Sequence, residues 1–408
     1  MKKSKYIMVA IVSALLTCGA IGVNLNTLGV FLVPVSDGLN VGLGDISVHS
    51  TLISMGMALG ALAFMKVKER VNFKAILLVA GLTVAGTTLL MSRATAPWQF
   101  SVLGFIRGFA SAFYGMVPVQ MIVNNWFHER HGLVSSLVSS FNGVAGAVFS
   151  PILMYAIENY GWRTGYLWQT IIFVGLSLPA ILYPFTFHPE DEGYVPYGGE
   201  ANEVKPSVRQ EITEPMIIPK YPVFLLMGMS FLTTALTGLA QHIPGIGENL
   251  GHTAALGAAM LSAAMIGNIT FKLLIGTLSD WKGQVFATIT IMTVTTLGIA
   301  LLYIGQGTSI LIAGSVLYGS VPAMVAVGMA LLAKHFFGNQ GFNKVFPAIN
   351  FISNIGGALA ISFYGYSVDF TGNYQFALFT SGLFAVLTIV LILLINYYYK
   401  QRSTQNPS

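Results

Sequence analysis

Two cations, Lys272 and Arg107, lie deep inside long apolar stretches of this sequence. None of its 15 acidic residues does; every Asp and Glu falls in a polar segment or at the end of an apolar one. A cation at the centre of a bilayer costs about 2.5–3.5 kcal/mol even on the lenient scale. It therefore needs a water-filled cavity, a carbonyl partner or a bound anion. Two such cations without a buried acid favour an anionic ligand. Each also has a plainer reading. Lys272 stands eight residues before Asp280 and can snorkel to the near interface. Arg107 is about ten residues into its stretch, where a structural arginine bonded to backbone carbonyls and a ligand contact remain equally open.

Uncharged polar residues add to this set. Asn268 precedes Lys272 by one turn, and Asn350 and Asn354 are one turn apart. Asn26 lies in the first stretch, with Asn24 on a different face. Interhelical hydrogen bonding is the competing role for each asparagine. Tyr114 carries a hydroxyl suited to a carboxylate, and packs equally well as a buried ring. His242, in Gln241-His242-Ile243-Pro244, has the chemistry of a gate or proton carrier; a neutral histidine satisfied by one hydrogen bond competes with it. His128 and His131 sit on a charged turn and read as solvated loop residues, not as a metal pair.

The elements that position these residues follow from composition. Of 408 residues, 54% are apolar and 9% charged, against about 25% charged in soluble domains. A soluble enzyme is excluded. One cysteine, Cys18, permits neither an internal disulfide nor a cysteine-rich zinc site. A membrane helix needs about 20 apolar residues. Twelve stretches qualify: approximately 6–33, 45–65, 73–91, 97–125, 130–157, 165–187, 221–247, 253–279, 283–303, 308–335, 341–366 and 373–399. The expected fold is an all-α membrane protein of twelve helices in two pseudo-symmetric six-helix bundles. Residues 1–187 form the first bundle, 188–220 a Pro-rich acidic linker, 221–399 the second bundle and 400–408 a tail. With the N-terminus in the cytosol, nearly all loop Lys and Arg fall on the cytosolic side, leaving Arg93 and Arg163 outside. The positive-inside rule then places both termini in the cytoplasm. The net charge of +5 reads as topology, not as nucleic-acid affinity.

The halves repeat weakly at an offset of 211 residues. Glu69 aligns with Asp280, Arg107-Gly108 with Tyr318-Gly319, Gly146 with Gly357 and Gly161 with Gly372. Parallel halves of this kind place a substrate near mid-membrane. Gly276-Thr-Leu-Ser-Asp280-Trp-Lys-Gly283 resembles the cytosolic loop motif of the major facilitator superfamily, with a degenerate first-half copy containing Met65, Glu69 and Asn72. Asn125-Trp126-Phe127-His128-Glu129-Arg130-His131-Gly132-Leu133, then Phe141 to Gly146, Ser150-Pro151 and Gly161-Trp162-Arg163, resemble its monocarboxylate transporter and oxalate:formate antiporter branches.

That resemblance implies a secondary transporter of a small organic anion, a monocarboxylate above all, working by alternating access; the short outer loops and the expected uncleaved first helix suit a cell (inner) membrane. It implies that Lys272 takes the place of a carboxylate-binding arginine, and that Asn268 replaces the acid implicated in proton coupling. Asn26 falls where monocarboxylate transporters have a lysine. Asp280 and Glu69 are the implied latch residues. The expected partners are the anion, a co- or counter-transported proton or anion, and lipid; no cofactor, metal or nucleic acid is expected. A drug or lipophilic-cation exporter and a non-transporting sensor are the alternatives. No nucleophile–base pair, metal cluster or phosphate loop supports an enzyme.

Overall fold

A computed structural model of the chain describes residues 2–198 and 219–405. Among them secondary structure is helical, apart from one isolated bridge between Phe127 and Tyr197. Eleven helices are long and apolar enough to cross a membrane. One of these, Gly132–Leu182, has 51 residues. That corresponds to about 77 Å of helix against about 30 Å of hydrocarbon, so it must be two crossings. The break is Gly161, with φ 81° and ψ 159°, a backbone setting that glycine adopts without a Cβ penalty. The twelve expected spans are consistent with this architecture.

Chain contacts divide the protein into two units, Met1–Val41 with Val48–Glu211, and Gly42–Ser47 with Ile212–Ser408. The spans are labelled in chain order: α1 Ser4–Asn26, α2 Leu43–Val67, α3 Phe73–Met91, α4 Pro97–Trp126, α5 132–160 and α6 161–182. They continue as α7 Lys220–Asn249, α8 Ala254–Lys282, α9 Gln284–Ile304, α10 Thr308–Gly338, α11 Lys344–Thr371 and α12 Gln375–Gln401.

Several spans are irregular for local reasons. The last nine residues of α1, Cys18–Asn26, form widened π-type turns, and the chain continues as the helix Gly29–Leu39 around Pro34. Helix α4 breaks between Ser111 and Met116, just before Pro118. Helix α7 tightens into a 3₁₀ turn at Leu239–His242, ahead of Pro244. Helix α10 opens into π-type turns at Met324–Gly328, after Pro322. Proline removes a donor and crowds the preceding turn, which accounts for the breaks ahead of Pro118 and Pro244.

Each unit repeats one close helix pairing. In the first, a methyl added at Gly108 would collide with the Ile53 carbonyl; in the second, one at Gly319 would collide with the Ala264 carbonyl. Both residues of the second pair lie 211 positions after those of the first. The internal repeat is therefore a repeat of backbone contacts between α2 and α4, and between α8 and α10. Small residues permit such approach between helices in lipid. In the first unit Val9, Leu16, Val84, Trp126 and Phe173 join one buried cluster, while Leu62, Leu82, Ile171 and Leu182 stay exposed. Continuous apolar exposure of this kind fits helices bathed by lipid.

The linker's first residues have structure. Positions 188–198 lie against the first unit, as detailed below. The remainder, 199–218, and the tail residues 406–408 lie outside the described residues.

Candidate functional site

Helix α8 carries Asn268 and Lys272 on one face, because residues four apart on a helix are neighbours. Helix α10 fixes this part of α8 from behind: a methyl at Gly319 would come within 2.7 Å of the Asn268 backbone nitrogen. Asn268 is 5% exposed, and its Oδ1 has no hydrogen-bond partner among the described residues. Lys272 is half-buried. It makes no hydrogen bond or ion pair among the described residues, where the one salt bridge joins Lys5 and Glu192. An unpaired ammonium beside an unpaired amide can receive an anion. The same unit carries Asn350 and Asn354 on an exposed face of α11, where Asn354 Nδ2 donates to the Asn350 carbonyl at 2.9 Å. Neither bonds to Lys272.

The first unit uses its buried cation differently. Arg107 is fully buried. Its Nη2 donates to the Asn24 carbonyl at 3.1 Å and to Asn24 Oδ1 at 2.8 Å. Its Nη1 approaches the Met91 sulfur at 3.7 Å, while Nε is unpartnered. Asn24 Nδ2 in turn donates to the Tyr114 hydroxyl at 2.9 Å. One amide thus joins Arg107 and Tyr114 to the widened end of α1, where terminal carbonyls lack intrahelical donors. Asn26 turns elsewhere and donates to the Asn142 carbonyl at 3.0 Å. Asn142 Oδ1 is buried without a partner.

Sequence reasoning gave Asn24 no part in this chemistry, yet it is the hub. Its signal was the short spacing to Asn26 within one apolar run. The π-type turns rotate the side chains away from the faces that a regular helix would give. Asn142 was also missed; it stood in the Phe141 to Gly146 segment, but nothing there distinguished it from a packing residue.

His242 sits at the end of the 3₁₀ turn in α7 and is 1% exposed. Its Nε2 lies 3.0 Å from the Ile361 carbonyl, and Nδ1 has no partner. The ring centroids of Tyr364 and Tyr374 lie 6.2 and 6.0 Å away. Asp280 and Glu69 are exposed and make no ion pair or hydrogen bond among the described residues. His128 is exposed, and the His131 side chain lies outside the described residues. No group of three metal-ligating side chains occurs among the described residues.

A second feature that the sequence did not announce closes one end of the first unit. Lys5 donates to the Pro184 carbonyl and to Glu192, among the rings of Tyr183, Tyr194 and Trp126 at 5.1–5.9 Å. The Tyr6 hydroxyl donates to the Val195 carbonyl at 2.5 Å. Tyr197 N donates to the Trp126 carbonyl at 2.8 Å, and the Tyr197 carbonyl accepts from His128 N and Glu129 N, both at 3.0 Å. The start of the linker is a strap, not free chain.

The apolar spans and the repeated helix pairing define a multi-pass membrane protein. Residues 12–361 match the model of the Major Facilitator Superfamily, and the chain belongs to that family. It is 22% identical over 339 residues to monocarboxylate transporter 13 of Rattus norvegicus, covering 81% of this chain and 76% of that protein. It is 23% identical over 252 residues to a gentisate transporter of Corynebacterium glutamicum, covering 57% and 52% of the two chains. Among solved structures, a point mutant of the nucleoside transporter NupG aligns with a TM-score of 0.73 at 13% identity, over 96% of this chain and 99% of that one. A D-xylose–proton symporter aligns with a TM-score of 0.69, also at 13% identity, over 95% and 96%. These likenesses extend the family assignment to the fold.

Proposed function

We propose that this transporter carries a small organic anion, a monocarboxylate above all, by alternating access. The observation that carries the reading is Lys272: a half-buried ammonium on a membrane helix, without an acid or carbonyl partner among the described residues. A bound carboxylate would offset the cost of holding that charge in the span. Asn268, one turn away, orients the anion. Asn26, Asn350 and Asn354 stand as further candidate contacts. Arg107 and Tyr114 are read here as supports of α1, since Asn24 engages both.

The names of the relatives fit this reading, since one is called a monocarboxylate transporter and another a gentisate transporter. Among the described residues of its unit, Lys272 is the one cation more than a few residues from the end of its span, which suits one carboxylate better than two. With Asn268 in place of an acid on α8, exchange or uniport is favoured over proton symport through that position. His242 is the remaining candidate for proton linkage, and Asp280 and Glu69 for gating. A cell membrane location is part of this reading, with both termini cytoplasmic, the orientation that the Lys and Arg distribution supports.

The test is thermal stabilisation of the purified protein by small carboxylates, amines and sugars, followed by flux in liposomes. A ligand that binds only the folded state stabilises it by RT ln(1 + L/Kd) at free ligand concentration L, so the shift keeps growing with concentration. The expected result is a concentration-dependent shift with a carboxylate, lost in Lys272→Ala, and uptake of the same acid. Stabilisation by amines or sugars alone, unchanged in Lys272→Ala, would refute the anion reading. Binding without flux would make the protein a sensor.

A further inference from the structure

The junction between α2 and α3 carries four basic residues that the carboxylate reading leaves unused: Lys66, Lys68, Arg70 and Lys74. Two of them are already engaged. Lys74 donates to the Ala180 carbonyl at 2.7 Å and to that of Tyr183. Lys68 lies over the Phe187 ring, 5.8 Å from its centroid. Lys66 and Arg70 are exposed and make no ion pair among the described residues. Both line a cleft of about 410 Å³. Glu69 shares that cleft without pairing to either, so its rim carries two positive charges against one negative. Val67 and Val71 line this cleft and also a second one, of about 280 Å³, that continues between α3 and α4.

The second cleft is an apolar slot. Ala75, Ala80 and Ala110 leave room that larger side chains would fill, and Ile106 and Phe113 form a wall. Phe113 is held edge-on against Phe64, with ring centroids 5.9 Å apart. Thr83 is the one polar residue of the lining, and its hydroxyl is satisfied by the Val79 carbonyl at 2.8 Å. Thr83 stands ten residues after Phe73, where α3 begins, which is about 15 Å of helix. Half of a bilayer's hydrocarbon core is also about 15 Å. The slot therefore has the depth of one acyl chain in one leaflet. Val79 and Leu82 beside it stay exposed, as on a helix that faces lipid.

We propose that this groove binds one anionic phospholipid of the adjoining leaflet, with its phosphate between Lys66 and Arg70 and an acyl chain in the slot. Basic pockets at the ends of spans hold such head groups. The charge balance selects among lipids. A zwitterionic head leaves the surplus charge of the rim in place, whereas a phosphate diester without an ammonium neutralises it. A soluble phosphate would use the rim and leave the apolar slot unfilled.

The experiment counts lipid bound to the full chain in detergent micelles by native mass spectrometry. The probes are phosphatidylglycerol, phosphatidylethanolamine and phosphatidylcholine with identical acyl chains, and glycerophosphoglycerol, the first head group without chains. Wild type is expected to hold phosphatidylglycerol about tenfold more tightly than either zwitterionic lipid, and to retain no glycerophosphoglycerol at the same concentration. Lys66→Gln combined with Arg70→Gln should abolish the preference, while Lys282→Gln, at a different basic loop, should keep it. Ala75→Trp fills the slot and should weaken phosphatidylglycerol binding with both charges intact. All four positions are exposed, so the lipid-free variants should melt like wild type. Equal retention of the three lipids, a preference that survives the double substitution, or an equal loss in Lys282→Gln would overturn the site. Unchanged binding in Ala75→Trp would overturn the place given to the acyl chain. Glycerophosphoglycerol bound as tightly as the lipid would make this a phosphate site and overturn the lipid.

Discussion

Arg107 and Tyr318 occupy the same position in the two halves, 211 residues apart, and each donates to a main-chain carbonyl on the first helix of its own bundle. Arg107 Nη2 reaches the Asn24 carbonyl on α1 at 3.1 Å. The Tyr318 hydroxyl reaches the Leu236 carbonyl on α7 at 2.5 Å. Both acceptors lie at or just before an irregular stretch, Cys18–Asn26 in one case and Leu239–His242 in the other. A long side chain from the fourth helix thus steadies the distorted part of the first in each unit. The chemistry differs, guanidinium against phenol, but the connection is retained.

This relationship predicts a structural phenotype for Arg107. Arg107→Ala strands Asn24 Oδ1 in the core, and Arg107→Lys loses the two-armed contact to Asn24. The expected cost is about 3 kcal/mol for Ala, from breaking a buried charged hydrogen-bond network. Tyr318→Phe is expected to cost about 1 kcal/mol, for one hydrogen bond. Melting of the purified variants tests this. Arg107→Lys that melts like wild type while losing ligand affinity would reassign Arg107 to the substrate.

Lys272 should behave in the opposite way. It has no partner to strand, so Lys272→Ala is expected to leave the melting temperature unchanged or raise it slightly. Carboxylate uptake should fall to background. Lys272→Arg keeps the charge and should retain part of the uptake. A large loss of stability in Lys272→Ala, measured by thermal unfolding without ligand, would show that the ammonium is a structural group.

Within the second unit, Asp369 caps the start of α2. Its two carboxylate oxygens accept from Leu43 N at 2.8 Å and Gly44 N at 2.7 Å. Helix α8, whose start aligns with that of α2 in the repeat, is capped by its own Thr253, whose Oγ1 accepts from Leu256 N at 3.3 Å. The residue aligned with Thr253 is Gly42, which has no side chain to serve; a Cβ there would meet Asp369 Oδ2 at 2.7 Å. Loss of a helix cap costs about 1 kcal/mol, and Asp369→Ala should cost that much in a melting experiment. Gly42→Ser should recover part of the loss in the Asp369→Ala background and none in wild type. Equal effects of Gly42→Ser in both backgrounds would contradict the capping account.

The strap makes a separate prediction about local stability. Lys5 and Glu192 are mostly buried against aromatic rings, so their pairing should exceed that of an exposed ion pair. Glu192→Gln is expected to weaken the strap by about 1 kcal/mol. Amide exchange at His128, Glu129 and Tyr197 should accelerate several-fold, with exchange in α8 unaffected. Unchanged protection at those three amides would mean that the Phe127–Tyr197 bridge and the aromatic packing hold the strap alone.

Much of the architecture was legible in the residues themselves. Span length and hydropathy are local properties, so most stretches emerged within about five residues; the first, expected to run to residue 33, ends at Asn26, where the widened turns close and a separate helix Gly29–Leu39 begins. The 211-residue repeat was visible in a few pairs, and the Gly108 and Gly319 contacts give it a physical meaning. Lys272 stood out because a charge in an apolar run needs an explanation wherever the run packs. The linker read as polar chain, since proline and acidic residues describe solvation and say little about docking.

Composition and spacing by themselves determined the membrane class, the number of spans, the two-part repeat and the presence of a cation without a buried acid. Only the tertiary structure decided which cation is occupied. Arg107 meets Asn24, while Lys272 meets no partner among the described residues. The reason is geometric. A side-chain hydrogen bond forms within a few tenths of an ångström of 2.9 Å, whereas the rotation of each helix depends on its irregular turns and on where glycines let backbones approach. Hydropathy is summed over many residues and tolerates such rotations; partner choice does not.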